Sequence, residues 1–383
     1  MYEIYNNYCT EVQYTEKYRQ LPDLDLYENQ DKEFIDFSTN DYLGLSKHPK
    51  LFKAAKLAGI QFGIGATGSR LLSGNKKNFV DLEKQIAIDK NTEAALIFNS
   101  GFQANITVLS SLLDQKLFKL KPIVFFDKLN HSSLYQAVFL SGAELVRYNH
   151  NNIEHLNSLL IKYENINRSK FIVTETIFGM DGDLLPIHEI FKLAKQHNAF
   201  LYLDEAHATG IIGTNGYGLS TTIDLTSIQH LIMGTFSKAI GCCGAYIASS
   251  EIIKKYLINK APGFIYSTAL SPMLIGAVAK AWDLIKTFNS ERITLFNNAL
   301  NLRNKLKQLG FNLGVSKCHI IPIILGTEKT TIKAKNILLQ QGIIVSSVRP
   351  PTVPAGTSRL RIALNIKHNQ DHMGRLISAL KLI

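Results

Sequence analysis

Cysteine is scarce in this chain, with Cys9, Cys242, Cys243 and Cys318 the only four among 383 residues. They form no CxxC pair and no even framework spacing, which excludes a disulfide lattice and a structural zinc site, and no metal ligand set is expected. A reducing, cytoplasmic location is the expectation. Long apolar runs are missing as well. No stretch approaches the roughly eighteen apolar residues of a membrane span. The opening MYEIYNNYCTEVQYTEKYRQ has neither the basic head nor the apolar core of a secretory signal. Blocks of like charge are also lacking. The 42 basic and 31 acidic residues leave a net charge of +11, but they are scattered. No run of five or six like charges and no basic-aromatic repeat supports a nucleic-acid surface. The surplus suits an anionic ligand instead: a phosphorylated cofactor, a coenzyme A thioester or an acidic carrier protein.

What remains is ordinary globular composition, 46% hydrophobic and 19% charged, in a chain long enough for two or three domains. Short apolar runs recur at 95–99 (ALIFN), 123–127 (IVFFD), 171–175 (FIVTE), 200–204 (FLYLD) and 230–234 (HLIMG). Each is nearly continuous and several end in a polar residue, as strands buried on both faces of a parallel sheet do. Helical-length stretches separate them, including 49–62 and 78–88, so the expected fold is an α/β sandwich with a mostly parallel central sheet. A helical pattern then runs from Pro272 to about Lys307. Strand-like runs at 319–325 and 342–348 enclose a helix at 330–341, which reads as a smaller α+β domain. The expected divisions are an N-terminal segment 1–48, a large domain 49–280 and a small domain 281–383.

A literal GxGxxG occurs at 63–68. A dinucleotide site needs a strand before it and a helix opening on its last glycine, because the pyrophosphate meets that helix N-terminus. Here the preceding residues look helical and another turn glycine follows, so these glycines read as a loop. The pair FLYLDEAHATG and GTFSKAIG is more informative. It delivers Asp204 and His207 beyond one strand, and Thr235, Ser237 and Lys238 beyond another, on the edge where open α/β sheets bind ligands. A lysine able to form a Schiff base and a carboxylate able to keep a pyridine nitrogen protonated suit a pyridoxal phosphate enzyme. Thr235 and Ser237 can donate to its phosphate. Isolated, Asp204 would read as a helix cap and Lys238 as a solvated charge; the pairing weakens that reading. His131, after IVFFD, can stack on a flat cofactor, and Ser100-Gly101-Phe102 opens a helix at Gln103 whose amides can bind phosphate.

The sequence resembles the α-oxoamine synthases, pyridoxal phosphate enzymes of fold type I, and among them the members serving biotin synthesis. The resemblance runs through NDYLGL (40–45), GSRLLSG (68–74), SGFQAN (100–105), NHSSL (130–134), MDGD (180–183), DEAHATG (204–210), GTFSKAIG (234–241), YSTAL (266–270) and RPPTVPAGTSRLRI (349–362). It implies that Lys238 links to the cofactor, Asp204 pairs with the ring nitrogen, His131 stacks on the ring and His207 meets its hydroxyl. Gly101, Phe102, Thr235 and Ser237 would hold the phosphate, with Thr268 reaching across a homodimer whose active site lies at the subunit interface. Asn40, Arg349, Thr352 and Arg361 would bind substrate, Asn40 and Arg361 taking an amino-acid carboxylate. The implied reaction is a decarboxylative condensation of L-alanine with a pimeloyl thioester on coenzyme A or acyl carrier protein. A sister reaction with glycine and acetyl coenzyme A, or another acyl thioester, keeps the same chemistry. From outside the class, the residues alone leave a nicotinamide oxidoreductase, on the strength of 63–68, and a basic nucleic-acid binder, on net charge. Two positions depart from the family pattern: Phe79 where a histidine is usual, and Gly179 where FSMDGD has serine.

Overall fold

The apolar runs become strands because both their faces are covered. In the computed structural model, which describes residues 1–15, 18–19, 21 and 33–383, seven strands form one sheet: β1 (Ala94–Phe98), β2 (Ile123–Asp127), β3 (Glu144–Tyr148), β4 (Lys170–Glu175), β5 (Phe200–Asp204), β6 (His230–Thr235) and β7 (Ala245–Ser249). Their order is β1-β7-β6-β5-β4-β2-β3. All neighbours are parallel except β7, which runs antiparallel to β1 and β6. Every residue of β1, β2, β5 and β7 is buried, so these strands carry no alternating polar face.

The described chain divides into two compact units. The larger comprises Asp41–Phe178 and Leu184–Arg292, the smaller Met1–Asn40, Gly179–Asp183 and Ile293–Ile383. The patterns of the sequence place divisions instead after 48 and 280, since no periodicity marks a short crossing such as 179–183.

In the larger unit, helices follow the strands as crossovers, among them Gly101–Leu112, Ser132–Ser141, Ile153–Lys162 and Ile187–Gln196. Residues 63–68 follow the helix Pro49–Phe62 rather than a strand, and the next helix begins only at Lys77. The helical pattern from Pro272 is two helices, Pro272–Ile285 and Asn289–Gln308. Between them Thr287 and Phe288 donate their N–H groups to Leu284 and Ile285 at 2.8 and 3.1 Å, a tightened turn that ends the first helix.

The smaller unit holds an antiparallel sheet in the order Ser346–Val348, Ser358–Ala363, Ile320–Gly326, and a parallel pair, Ile35–Asp36 with Ile343–Ile344. The single run expected at 342–348 is thus two short strands in different sheets. Helix Glu328–Gln340 stands where 330–341 is expected. Among the described residues, no helix is long and apolar enough to cross a membrane, and no group of three or more side chains could hold a metal ion.

Candidate active site

Asp204 ends β5 with only 3% of its surface exposed. Its two oxygens accept from the Asn105 side-chain amide at 2.8 Å and the Ala206 N–H at 2.9 Å. These donors offset the cost of burying a carboxylate. Beside it, register-paired on parallel β4, stands Glu175. Glu175 is 6% exposed. One of its oxygens accepts the His131 backbone N–H at 2.6 Å. Burial pushes its carboxyl well above the usual range, the Asp204 charge adds to this, and the Lys238 charge opposes it. Sequence reading missed Glu175, because a glutamate ending a strand carries no mark of its neighbour on the next strand.

His131 precedes helix Ser132–Ser141 as its N-cap. Its ring is part-buried with one side open, edge-on to Phe102 at 6.4 Å between centroids and 87° between planes. His207 is buried, and its Nδ1 lies 2.7 Å from the Tyr42 hydroxyl. Tyr42, in NDYLGL, is fully buried. It therefore fixes the His207 ring rather than contacting solvent. Tyr42→Phe removes that partner without changing shape, and turnover is expected to fall about fivefold to tenfold, the size of one lost neutral hydrogen bond. Steady-state kinetics beside a thermal melt test this; unchanged kinetics would show that Tyr42 is only core packing.

Lys238 lies half-buried in the loop after β6. Backbone bonds shape that loop: Gly241 N–H to Lys238 O and Cys242 N–H to Phe236 O, each at 2.8 Å. Gly241 has φ 68°, and a Cβ there would fall 2.4 Å from the Ser46 nitrogen. Only glycine serves at that position. The neighbouring Cys242 thiol is pushed up to about 12 by burial, which keeps it protonated and poorly nucleophilic.

Gly101 and Phe102 open helix Gly101–Leu112, capped by Ser100, whose Oγ accepts from Gln103 N–H at 3.2 Å. A Cβ added to Gly101 would meet Thr235 Cβ at 3.7 Å. The glycine thus leaves a cradle between the helix N-terminus and Thr235 that suits a phosphate. Thr235 Oγ1 lies 3.0 Å from the Gly244 carbonyl and 2.7 Å from Ser237 Oγ, and accepts the Ser237 N–H at 3.2 Å. With the Thr235 hydrogen directed at Gly244, the 2.7 Å bond takes its hydrogen from Ser237, the exposed member of the pair, whose hydroxyl can turn toward a phosphate. Thr268 is exposed, and its carbonyl accepts from the Asn99 amide at 2.8 Å. An anionic carboxylate at Asp204, an amine at Lys238 and this cradle fit a cationic pyridine ring bearing a phosphate.

The smaller unit carries the other predicted residues. Arg361 is buried, donating to the Gly179 carbonyl at 2.5 Å and to Asn40 Oδ1 at 3.1 Å. A cavity of about 230 Å³ is lined by Arg361, Asn40, Arg349, Thr352 and Arg19. Arg19 donates to Thr352 at 3.3 Å. Sequence reading missed Arg19, which sits in a polar stretch with no periodicity. Burial, together with the Arg361 and Arg303 charges, depresses His319 to about 3. Gly179, where the family pattern has serine, therefore meets Arg361 through its carbonyl. Phe79, the other departure, is fully buried in the larger unit, with the Arg70 guanidinium 4.4 Å above its ring and Arg70 paired to Glu83 at 2.8 Å. That position is part of the packing.

Two larger cavities, about 860 and 810 Å³, share Phe200, Gln229 and Ile252 at the N-terminal ends of the parallel strands. Open α/β sheets place chemistry at the opposite edge, and no predicted site residue lines either cavity.

The family model for class I and II aminotransferases matches residues 32–380. A protein of Paramagnetospirillum magneticum, named as a candidate 8-amino-7-oxononanoate synthase, is 44% identical over 91% of this chain and 88% of its own length. The solved 8-amino-7-oxononanoate synthase of Francisella tularensis is 28% identical with a TM-score of 0.79, covering 92% of this chain and 98% of that one. A serine palmitoyltransferase from S. paucimobilis, solved with PLP and myriocin, reaches a TM-score of 0.85 at 28% identity, covering 91% of this chain and 87% of its own.

Proposed function

The chain belongs to the class I and II aminotransferase family and uses pyridoxal phosphate, and on that premise we propose that it condenses L-alanine with a pimeloyl thioester. The products are 8-amino-7-oxononanoate, carbon dioxide and free thiol. One observation carries the reading: Asp204, His207, His131 and Lys238 all stand at the carboxyl edge of one sheet. The choice of acid and thioester rests on the names of the relatives.

When bound, the cofactor supplies an electron sink for the pair left on the amino-acid Cα. The chain's residues do the remaining work. Asp204, held in place by its two donors, keeps a proton on the ring nitrogen. Lys238 Nζ takes the Cα proton as general base and later returns a proton to carbon. His207, fixed by Tyr42, donates toward the ring hydroxyl. Gly101, Phe102, Thr235 and Ser237 take the phosphate. Arg361, with Asn40 alongside, takes the amino-acid carboxylate, and Arg349, Arg19 and Thr352 suit the anionic end of a dicarboxylic acyl group. In the balance, a carbon–carbon bond forms as the thiol leaves, and the carboxylate carbon departs as carbon dioxide.

The active form in this reading is a homodimer, each copy lending Thr268 to the other's phosphate. The exposed apolar side chains Phe52, Leu57, Ile60 and Ile64 support it as a surface for a second copy. A second reading, a sister synthase using another amino acid and a longer acyl chain, is favoured by the TM-score of 0.85 to a serine palmitoyltransferase. Carbon dioxide release separates the two. Alanine, glycine and serine are each offered with pimeloyl, acetyl and palmitoyl thioesters. Turnover confined to alanine plus pimeloyl is expected; turnover only with another pair would move the chain to the sister function.

A further inference from the structure

Two motif residues touch no reactant in the chemistry above: Asn105 in SGFQAN and Ser133 in NHSSL. Both are fully buried, so each of their polar atoms must find a partner. The directions of their bonds follow from the Asp204 carboxylate, which accepts, and the Ser133 backbone N–H, which only donates. The Tyr202 hydroxyl donates to Asn105 Oδ1 at 2.8 Å. The amide nitrogen of Asn105 therefore faces the other way, donating to Asp204 Oδ2 at 2.8 Å and to Ser133 Oγ at 2.9 Å. An ionised carboxylate only accepts, which agrees with that orientation. Ser133 Oγ, having accepted from Asn105, has its own hydrogen left for His131 Nδ1 at 2.8 Å. The Ser133 backbone N–H reaches the same nitrogen at 3.3 Å. A backbone N–H cannot accept, so Nδ1 must present its lone pair. The ring's one proton is then on Nε2.

We propose that Asn105 and Ser133 are positioning residues, a directional chain from Asp204 that fixes His131 as a neutral ring protonated at Nε2. That ring is a hydrogen-bond donor to a carbonyl or carboxylate oxygen of the reactant, and it is not a base. Its exposed face leaves Nε2 without a protein partner among the described residues. The charged and titratable groups around it act together on its charge state. Burial holds the His131 imidazolium below the usual range, with Lys238 acting in the same direction and Asp204 against it. Glu175 engages only its backbone N–H, Phe102 presents a ring, and the N-terminal end of helix Ser132–Ser141 disfavours a cation there. The identity of the accepting oxygen rests on the proposed condensation; the tautomer does not.

The test uses 15N-histidine-labelled protein without cofactor, in which long-range proton–nitrogen correlations report each ring's tautomer. His131 is assigned by the signal lost in His131→Gln. At neutral pH the wild type is expected to show His131 neutral and protonated at Nε2. Ser133→Ala, a loss of one atom, is expected to mix the tautomers and raise the His131 pKa, since the neutral form loses a donor. In the loaded enzyme kcat/KM should fall about fivefold to tenfold, as for one lost neutral hydrogen bond. The other histidine signals show whether the variant is folded. A His131 ring that is charged or protonated at Nδ1 would overturn the proposal, as would a Ser133→Ala ring with wild-type tautomer and pKa. Should alanine and pimeloyl thioester prove not to be the substrates while His131 is protonated at Nε2, the functional reading falls and this one stands.

Discussion

Replacing Lys238 by alanine is expected to lower turnover by at least about three orders of magnitude, because it removes the cofactor's covalent anchor and the general base together. The fold should survive. The loop at 236–244 is held by backbone bonds from Gly241, Cys242 and Phe236 (to the Gly244 carbonyl at 2.9 Å), and none of these uses the lysine side chain. Lys238→Arg should fail almost as completely, since a guanidinium keeps its proton at every working pH and cannot serve as a base. Borohydride supplies a readout independent of turnover. It should fix the cofactor irreversibly to the wild-type chain and leave it removable from both variants after denaturation. Were Lys238→Ala to keep the cofactor fixed after reduction, another lysine would be the anchor, and the reading of GTFSKAIG would fail. Ser237→Ala is the useful contrast: it removes one exposed phosphate donor, so it should weaken cofactor affinity while leaving the chemistry intact.

How far the sequence carried depends on burial. Runs such as IVFFD and FLYLD were readable because a strand covered on both faces has no polar alternation to confuse it. ELVRY, which forms edge strand β3, is mostly half-buried with Arg147 exposed, and so offers no such run. AYIAS, which forms β7, follows the small-residue stretch AIGCCG and blends into it. Lys238 and Asp204 were readable because each lies at or just beyond a strand end in a strong motif. Their supports were not. Asn105 lies 99 residues from Asp204 in sequence, and Tyr42 lies 165 from His207. Such pairs exist only once the sheet has brought its strand ends together. Phe79 makes the converse point: a departure that motif comparison flags at the site is, in space, a ring beneath Arg70.

The largest expected loss of stability lies one residue beyond Asp204. Glu205 and Lys90 form an ion pair with both side chains fully buried. Lys90 also donates to the Tyr217 carbonyl and lies 3.3 Å from Ser220 Oγ. Glu205 accepts the Ser220 N–H at 2.7 Å and its hydroxyl at 3.0 Å. Burial pulls the Lys90 ammonium down, but the charges of Glu205 and Tyr246 more than offset it and leave it raised. Removing one partner strands the other charge in the core, so Glu205→Met and Lys90→Met should each cost about 3–5 kcal/mol. Removing both with apolar replacements of similar volume, Lys90→Met with Glu205→Met, should cost less than either single change, because no lone charge remains. Unfolding of the four proteins without cofactor completes the cycle. Single losses that simply add in the double variant would mean that the two charges do not depend on each other. The consequence reaches the site through the backbone. Glu205 N–H donates to the Met233 carbonyl at 2.7 Å, tying the end of β5 to β6, and Ala206 N–H holds an Asp204 oxygen. A single variant should therefore weaken cofactor binding as well as stability, whereas the double variant should recover part of both.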